Sequence, residues 1–64
     1  MNVKKLEKAI DERIAALEAV AQTYYVRDAI KTLTMAKFAL FNGGSVARDD
    51  AEAVLESTAW LIED

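Results

Sequence analysis

Gln22-Thr23-Tyr24-Tyr25-Val26 is the stretch on which the fold of this chain turns. Apolar helical periodicity runs on both sides of it, yet it contains neither Gly nor Pro, only residues mildly averse to helix. If the helix breaks near Thr23, the chain is a three-helix bundle. If it continues, a single helix of some forty residues folds back at a later glycine turn onto a shorter one, and that long-helix hairpin would almost require a dimer to cover its seam. Helices longer than about 25 residues are unusual in globular domains. The break is therefore expected, giving an all-α, small three-helix bundle, dimeric, in one domain over residues 1–64. Its helices are expected at about 3–22, 26–41 and 50–62, with a Gly turn at 42–45.

Upstream of the joint, Val3, Leu6, Ile10, Ile14, Leu17, Val20 and Ala21 recur with the 3.6-residue period of a helix that buries one stripe. Asn2 is positioned as its N-cap. Lys4, Lys5, Glu7, Lys8, Asp11 and Glu12 lie off the stripe and read as a solvated face. Arg13 interrupts the seam between Ile10 and Leu17, so it must snorkel or pair; a stem lying along the core edge with the guanidinium in water is the expectation.

Downstream, Val26, Ala29, Ile30, Leu33, Ala36, Leu40 and Phe41 form one broad apolar face, while Met35 and Phe38 project to the far side and Lys37 reaches outward along the main face. A helix this apolar belongs in the middle, covered by its neighbours or by another subunit. Asn42, Gly43 and Gly44 end it with residues suited to a left-handed reversal. Asp49 followed by Glu52 fits a capping box opening the third helix, with Ser45 as the alternative cap. That helix is expected to bury Ala51, Val54, Leu55, Thr58, Leu61 and Ile62, leaving Trp60 nearly opposite the stripe beside Glu52, Glu56 and Glu63. Asp49, Asp50 and Glu52 would complement its positive end, whereas Glu63 and Asp64 oppose its negative end and favour fraying.

Composition bounds what such a bundle can do. Sixty-four residues lie near the lower limit for independent folding, and without Cys or His neither disulfides nor the commonest metal ligand can reinforce the core. Twelve of the hydrophobic residues are Ala, which bury little area each. Missing His and Cys also remove the commonest general base and the strongest neutral-pH nucleophile, so an enzyme is not expected. Glu7 with Asp11, and Asp49 with Asp50 and Glu52, match no calcium-loop spacing and read as solvated or capping charge; no metal and no cofactor are expected. No membrane-spanning run or secretory signal is apparent, which points to a cytoplasmic protein.

Charge is sorted along the chain, with net values of 0, +2 and −5 over residues 1–22, 23–42 and 43–64. Arg27, Lys31 and Lys37 are expected to face the acidic third helix, within one subunit or across two. The same three residues support an alternative function, a dimeric helical nucleic-acid-binding regulator. The acidic helix after the turn argues against it, because phosphate neutralisation needs a basic face.

What is left over is apolar. Tyr24, Tyr25, Met35, Phe38 and Trp60 are of types enriched in interface cores, and Trp60 is the best single anchor. With Glu52, Glu56 and Glu63 beside it, Trp60 would favour a basic protein surface. The expected function is a small non-catalytic interaction module, a regulatory adaptor or inhibitor that binds another protein, itself, or both. Very short genes lacking catalytic machinery, such as those of phages and mobile elements, often encode such parts.

Overall fold

A computed structural model describes residues 2–63. Three α-helices, α1 (Val3–Glu18), α2 (Tyr24–Ala39) and α3 (Gly44–Thr58), pack against one another in all three pairings, and a single 3-10 turn over Ala59–Leu61 follows α3. The expected three-helix bundle is the architecture, and the long-helix hairpin is not. No strand occurs among the described residues, and no helix among them is long and apolar enough to cross a membrane. The bundle measures 33 × 18 × 16 Å.

Side-chain chemistry, not Gly or Pro, makes the decisive break. α1 starts on Asn2, whose Oδ1 accepts from the Lys5 amide at 2.9 Å, as expected. It ends at Glu18, four residues earlier than the pattern suggested. Gln22 Nε2 donates to the carbonyls of Leu17 at 2.9 Å and Val20 at 2.8 Å, so acceptors that would have carried α1 onward are satisfied from outside the helix. One residue later Thr23 adopts extended backbone, φ −78° and ψ 169°, and its Oγ1 accepts from the Val26 amide to cap α2. Val20 and Ala21 consequently leave the helical phase and are exposed, contrary to the expected stripe.

The second reversal also differs in detail. α2 ends at Ala39 with Leu40 as its C-cap, so Phe41 falls out of register and is exposed instead of joining the core. Gly44 takes the left-handed conformation, φ +61°, and α3 begins there. Asp49 and Ser45 are therefore both inside the helix and neither is its cap; Gly43 occupies that position without a side-chain hydrogen bond. The acidic residues at 49, 50 and 52 lie beyond the first turn and do not serve the positive end. The early start has a packing reason. It places Ala47 and Ala51 on the buried face of α3, and Gly43 comes so close that a methyl group there would overlap Ala47 Cβ and sit 3.0 Å from the Ala39 carbonyl oxygen.

Leu6, Ile10, Leu17 and Leu33 are the large side chains fully buried, joined in the core by Val26, Ala29, Leu40 and Ala51. Each large one contributes about 1.5–3 kcal/mol of transfer free energy. Val54, Leu55, Leu61 and Ile62, expected in the interior, are half-buried and pack against that core. The expected fraying involves Asp64, which lies outside the described residues.

Candidate interaction surface

Two polar contacts brace the bundle and set what remains free. Arg13 does not extend into water: its Nη1 donates to the Leu55 carbonyl at 2.6 Å and to Thr58 Oγ1 at 2.9 Å. Thr58 is buried, and its hydroxyl in turn donates to the Val54 carbonyl at 2.8 Å. α3 carries no basic residue in its last turn. Arg13 of α1 supplies that cation where the carbonyls of α3 run out of partners. Lys37 likewise turns to α1, not to acidic α3, with Nζ 2.7 Å from Asp11 Oδ1. The hydrogen bond to Asp11 raises the Lys37 pKa above its ordinary value, helped by the nearby charges of Asp11 and Glu7 and opposed by desolvation. Arg27 and Lys31, also expected against α3, are exposed.

All five apolar site residues read from the sequence stand on the surface, and three of them meet. Tyr24, at the start of α2, stacks edge-on against Tyr25 with ring centroids 5.7 Å apart. Tyr25 meets Trp60 across the helix pair at 6.3 Å and an interplanar angle of 63°. Such edge-to-face geometry places the positive ring edge on the negative face of the neighbour. The three rings are 76%, 64% and 60% exposed, so this is a surface cluster braced by its own contacts. Beside it a groove of about 270 Å³ runs between Tyr25, Asp28 and Thr32 of α2 and Ser57, Trp60 and Leu61 of the opposite wall.

Asp28 and Thr32 are groove residues that the sequence pattern did not single out. A signal existed: Tyr25, Asp28 and Thr32 recur at three- and four-residue spacing and so share a side of α2. Of the carboxylates expected beside Trp60, Glu56 and Glu63 are exposed, whereas Glu52 is half-buried and not free. A second groove, about 440 Å³ between Ala9, Glu12 and Arg13 of α1 and Leu55 and Ile62, has its Arg13 donor committed to α3.

Met35 and Phe38 lie apart from the aromatic corner, farther along the outward side of α2, at 62% and 66% exposure. Around the glycine turn Phe41 and Val46 are exposed as well, and the pattern had assigned neither to the surface site. No group of three or more acidic side chains comes together among the described residues in a way that could hold a metal ion. No protein-family model matches the chain, and neither a curated protein nor a solved structure is detectably similar to it.

Proposed function

We propose that this chain is a small cytosolic, non-catalytic interaction module, a regulatory adaptor or inhibitor that acts by occupying a surface on another protein, and that it works as a homodimer. One observation carries the reading: among the described residues eight large apolar side chains are exposed, more than the six buried ones, Leu6, Ile10, Leu17, Val26, Leu33 and Leu40. A monomer scatters such residues singly, whereas here Tyr24, Tyr25 and Trp60 are in mutual contact beside a groove. Rigid aromatic rings gathered in this way lose little conformational freedom when covered. Exposed carboxylates such as Glu56 and Glu63, in a chain of net charge −3, favour a partner whose contact surface is basic.

The test is capture of a partner by the tagged full chain beside Trp60→Ala and Tyr25→Ala, with helical content and melting temperature recorded for each. Both variants are expected to stay folded, since their rings are mostly outside the core, and to lose at least tenfold in partner affinity, the order of a hot-spot truncation. Capture should also weaken with added salt. Undiminished capture by both variants would remove the aromatic corner as the binding site.

A further inference from the structure

The outward side of α2 has a charge pattern that is complementary to itself. At 100° per residue, Tyr24, Asp28, Lys31, Met35 and Phe38 fall within a sector of about 80°, and all five are exposed. Neither Asp28 nor Lys31 has an ion-pair partner among the described residues. We propose that a second copy of this chain docks on this face, its α2 antiparallel to the first, about a two-fold axis passing between Ala29 and Ile30. The proposal rests on the reading of the exposed apolar surface as a protein-binding one, and it names the occupant of one part of that surface.

A two-fold axis sets residues equally distant on either side of it against each other. Asp28 and Lys31 each lie one and a half positions from this axis, about 2 Å along the helix. Asp28 therefore meets Lys31 of the second copy, and the reciprocal pair forms beside it. Tyr24 and Met35 each lie five and a half positions out, about 8 Å, which sets each tyrosine ring against the other copy's thioether, a favourable sulfur–aromatic contact. Phe38 lies farther out than either and passes the first residue of the second α2 by about 4.5 Å.

Two other pairings of the same face fail on charge. A parallel dimer sets Asp28 on Asp28 and Lys31 on Lys31. An antiparallel dimer centred at Lys31 sets that ammonium on its own copy. Juxtaposed like charges disfavour both. Need for a partner is independent of the pattern, because a chain of this length with four large side chains fully buried among its described residues has little core to stand on.

Sedimentation equilibrium of the full chain over a range of concentrations at low salt tests the proposal. The wild type is expected to approach twice 7.1 kDa. Asp28→Lys and Lys31→Asp should each weaken dimerisation about tenfold or more, since like charges then meet twice. An equimolar mixture of the two variants should recover the dimer, because every Lys at 28 then faces an Asp at 31 and every Lys at 31 faces an Asp at 28. The doubly swapped chain, Asp28→Lys with Lys31→Asp, should dimerise on its own for the same reason. Wild type that stays monomeric overturns the proposal. So does a dimer indifferent to both single variants, or single variants that weaken it without recovery on mixing or in the double swap. Those results leave Trp60-dependent capture of another protein standing, while loss of that capture with the charge-swap pattern intact removes the adaptor reading and keeps the dimer.

Discussion

The guanidinium of Arg13 on α1 donates to the main-chain carbonyl of Leu55 on α3, 2.6 Å away and 42 residues distant in the chain. A second bond from the same nitrogen reaches Thr58 Oγ1. The seam position that interrupts the apolar stripe of α1 thus closes the carbonyl end of α3.

Replacing Arg13 by Met keeps an apolar stem along the core but removes the donor. The expected loss is about 2 kcal/mol in urea unfolding, a shift of roughly 10 °C in melting temperature for a domain of this size. Thr58→Val should cost about 1 kcal/mol, and the double variant less than the sum, because both substitutions break one network. Strict additivity would show that the bond from Arg13 to Thr58 contributes nothing, leaving the Leu55 carbonyl as the acceptor through which Arg13 acts.

Gly43 and Gly44 are distinguished by the reasons they tolerate no side chain. Gly43→Ala presses a methyl group into Ala47 and should destabilise by about 1–3 kcal/mol. Adding Ala47→Gly should recover part of that loss by restoring the space. Gly44→Ala meets no atom within 4 Å but must hold φ +61°, so it should cost about 1–2 kcal/mol with no rescue from any substitution at Ala47. Thermal melts of the four proteins separate the two causes.

Lys37 gives the bundle a dependence on alkaline pH. Its folded pKa stands above the ordinary 10.5 because Asp11 accepts a hydrogen bond from the ammonium. The stabilisation is fully present below 10.5 and is lost as pH rises through the folded value. Unfolding free energy of the wild type should therefore fall more steeply above pH 10.5 than that of Lys37→Met, in which this proton is absent. Parallel curves would show that the pair contributes nothing in solution.

Core and surface on α2 should separate cleanly. Leu33 is fully buried, and Leu33→Ala should cost about 2–5 kcal/mol, enough to unfold a marginal domain. Met35→Ala, two residues on, should change the stability of the dilute chain by no more than about 0.5 kcal/mol. Circular dichroism in urea at low protein concentration checks both.

Trp60 is the single tryptophan, so its emission reports one place on the molecule. At 60% exposure it should fluoresce as a hydrated indole and be quenched readily by acrylamide. Covering the aromatic corner with a partner should move the emission to the blue and shield it. Wild-type emission already blue and shielded at the lowest concentrations would place Trp60 in contacts that the isolated bundle lacks.

Much of the bundle was legible because repeating apolar spacing reports directly on which side of a helix faces inward. Leu6, Ile10, Leu17, Val26 and Leu33 were placed correctly on that basis, as were the outward positions of Met35, Phe38 and Trp60. Helix ends were less legible. Thr23 and Gln22 break the chain through hydrogen bonds of single side chains, signals far weaker in a sequence than a proline. At the other joint, Asp49 and Glu52 offered a capping pattern, but close packing of Gly43 on Ala47 moved the start of α3 to Gly44. Phe41 then lost its expected phase because it follows a helix end that moved.

Taken alone, the amino-acid order determined that this chain would be helical, that it would reverse at Gly43-Gly44, and that it would own more large apolar side chains than its interior could use. Those properties are local or additive, set by propensity, periodicity and count. Only tertiary structure decided that Arg13 would cap α3, that Lys37 would seek Asp11 instead of the acidic third helix, and that Tyr25 would meet Trp60. Each of those joins residues far apart in the chain, and which of several possible partners lies within reach depends on how the helices rotate and cross once the core has closed.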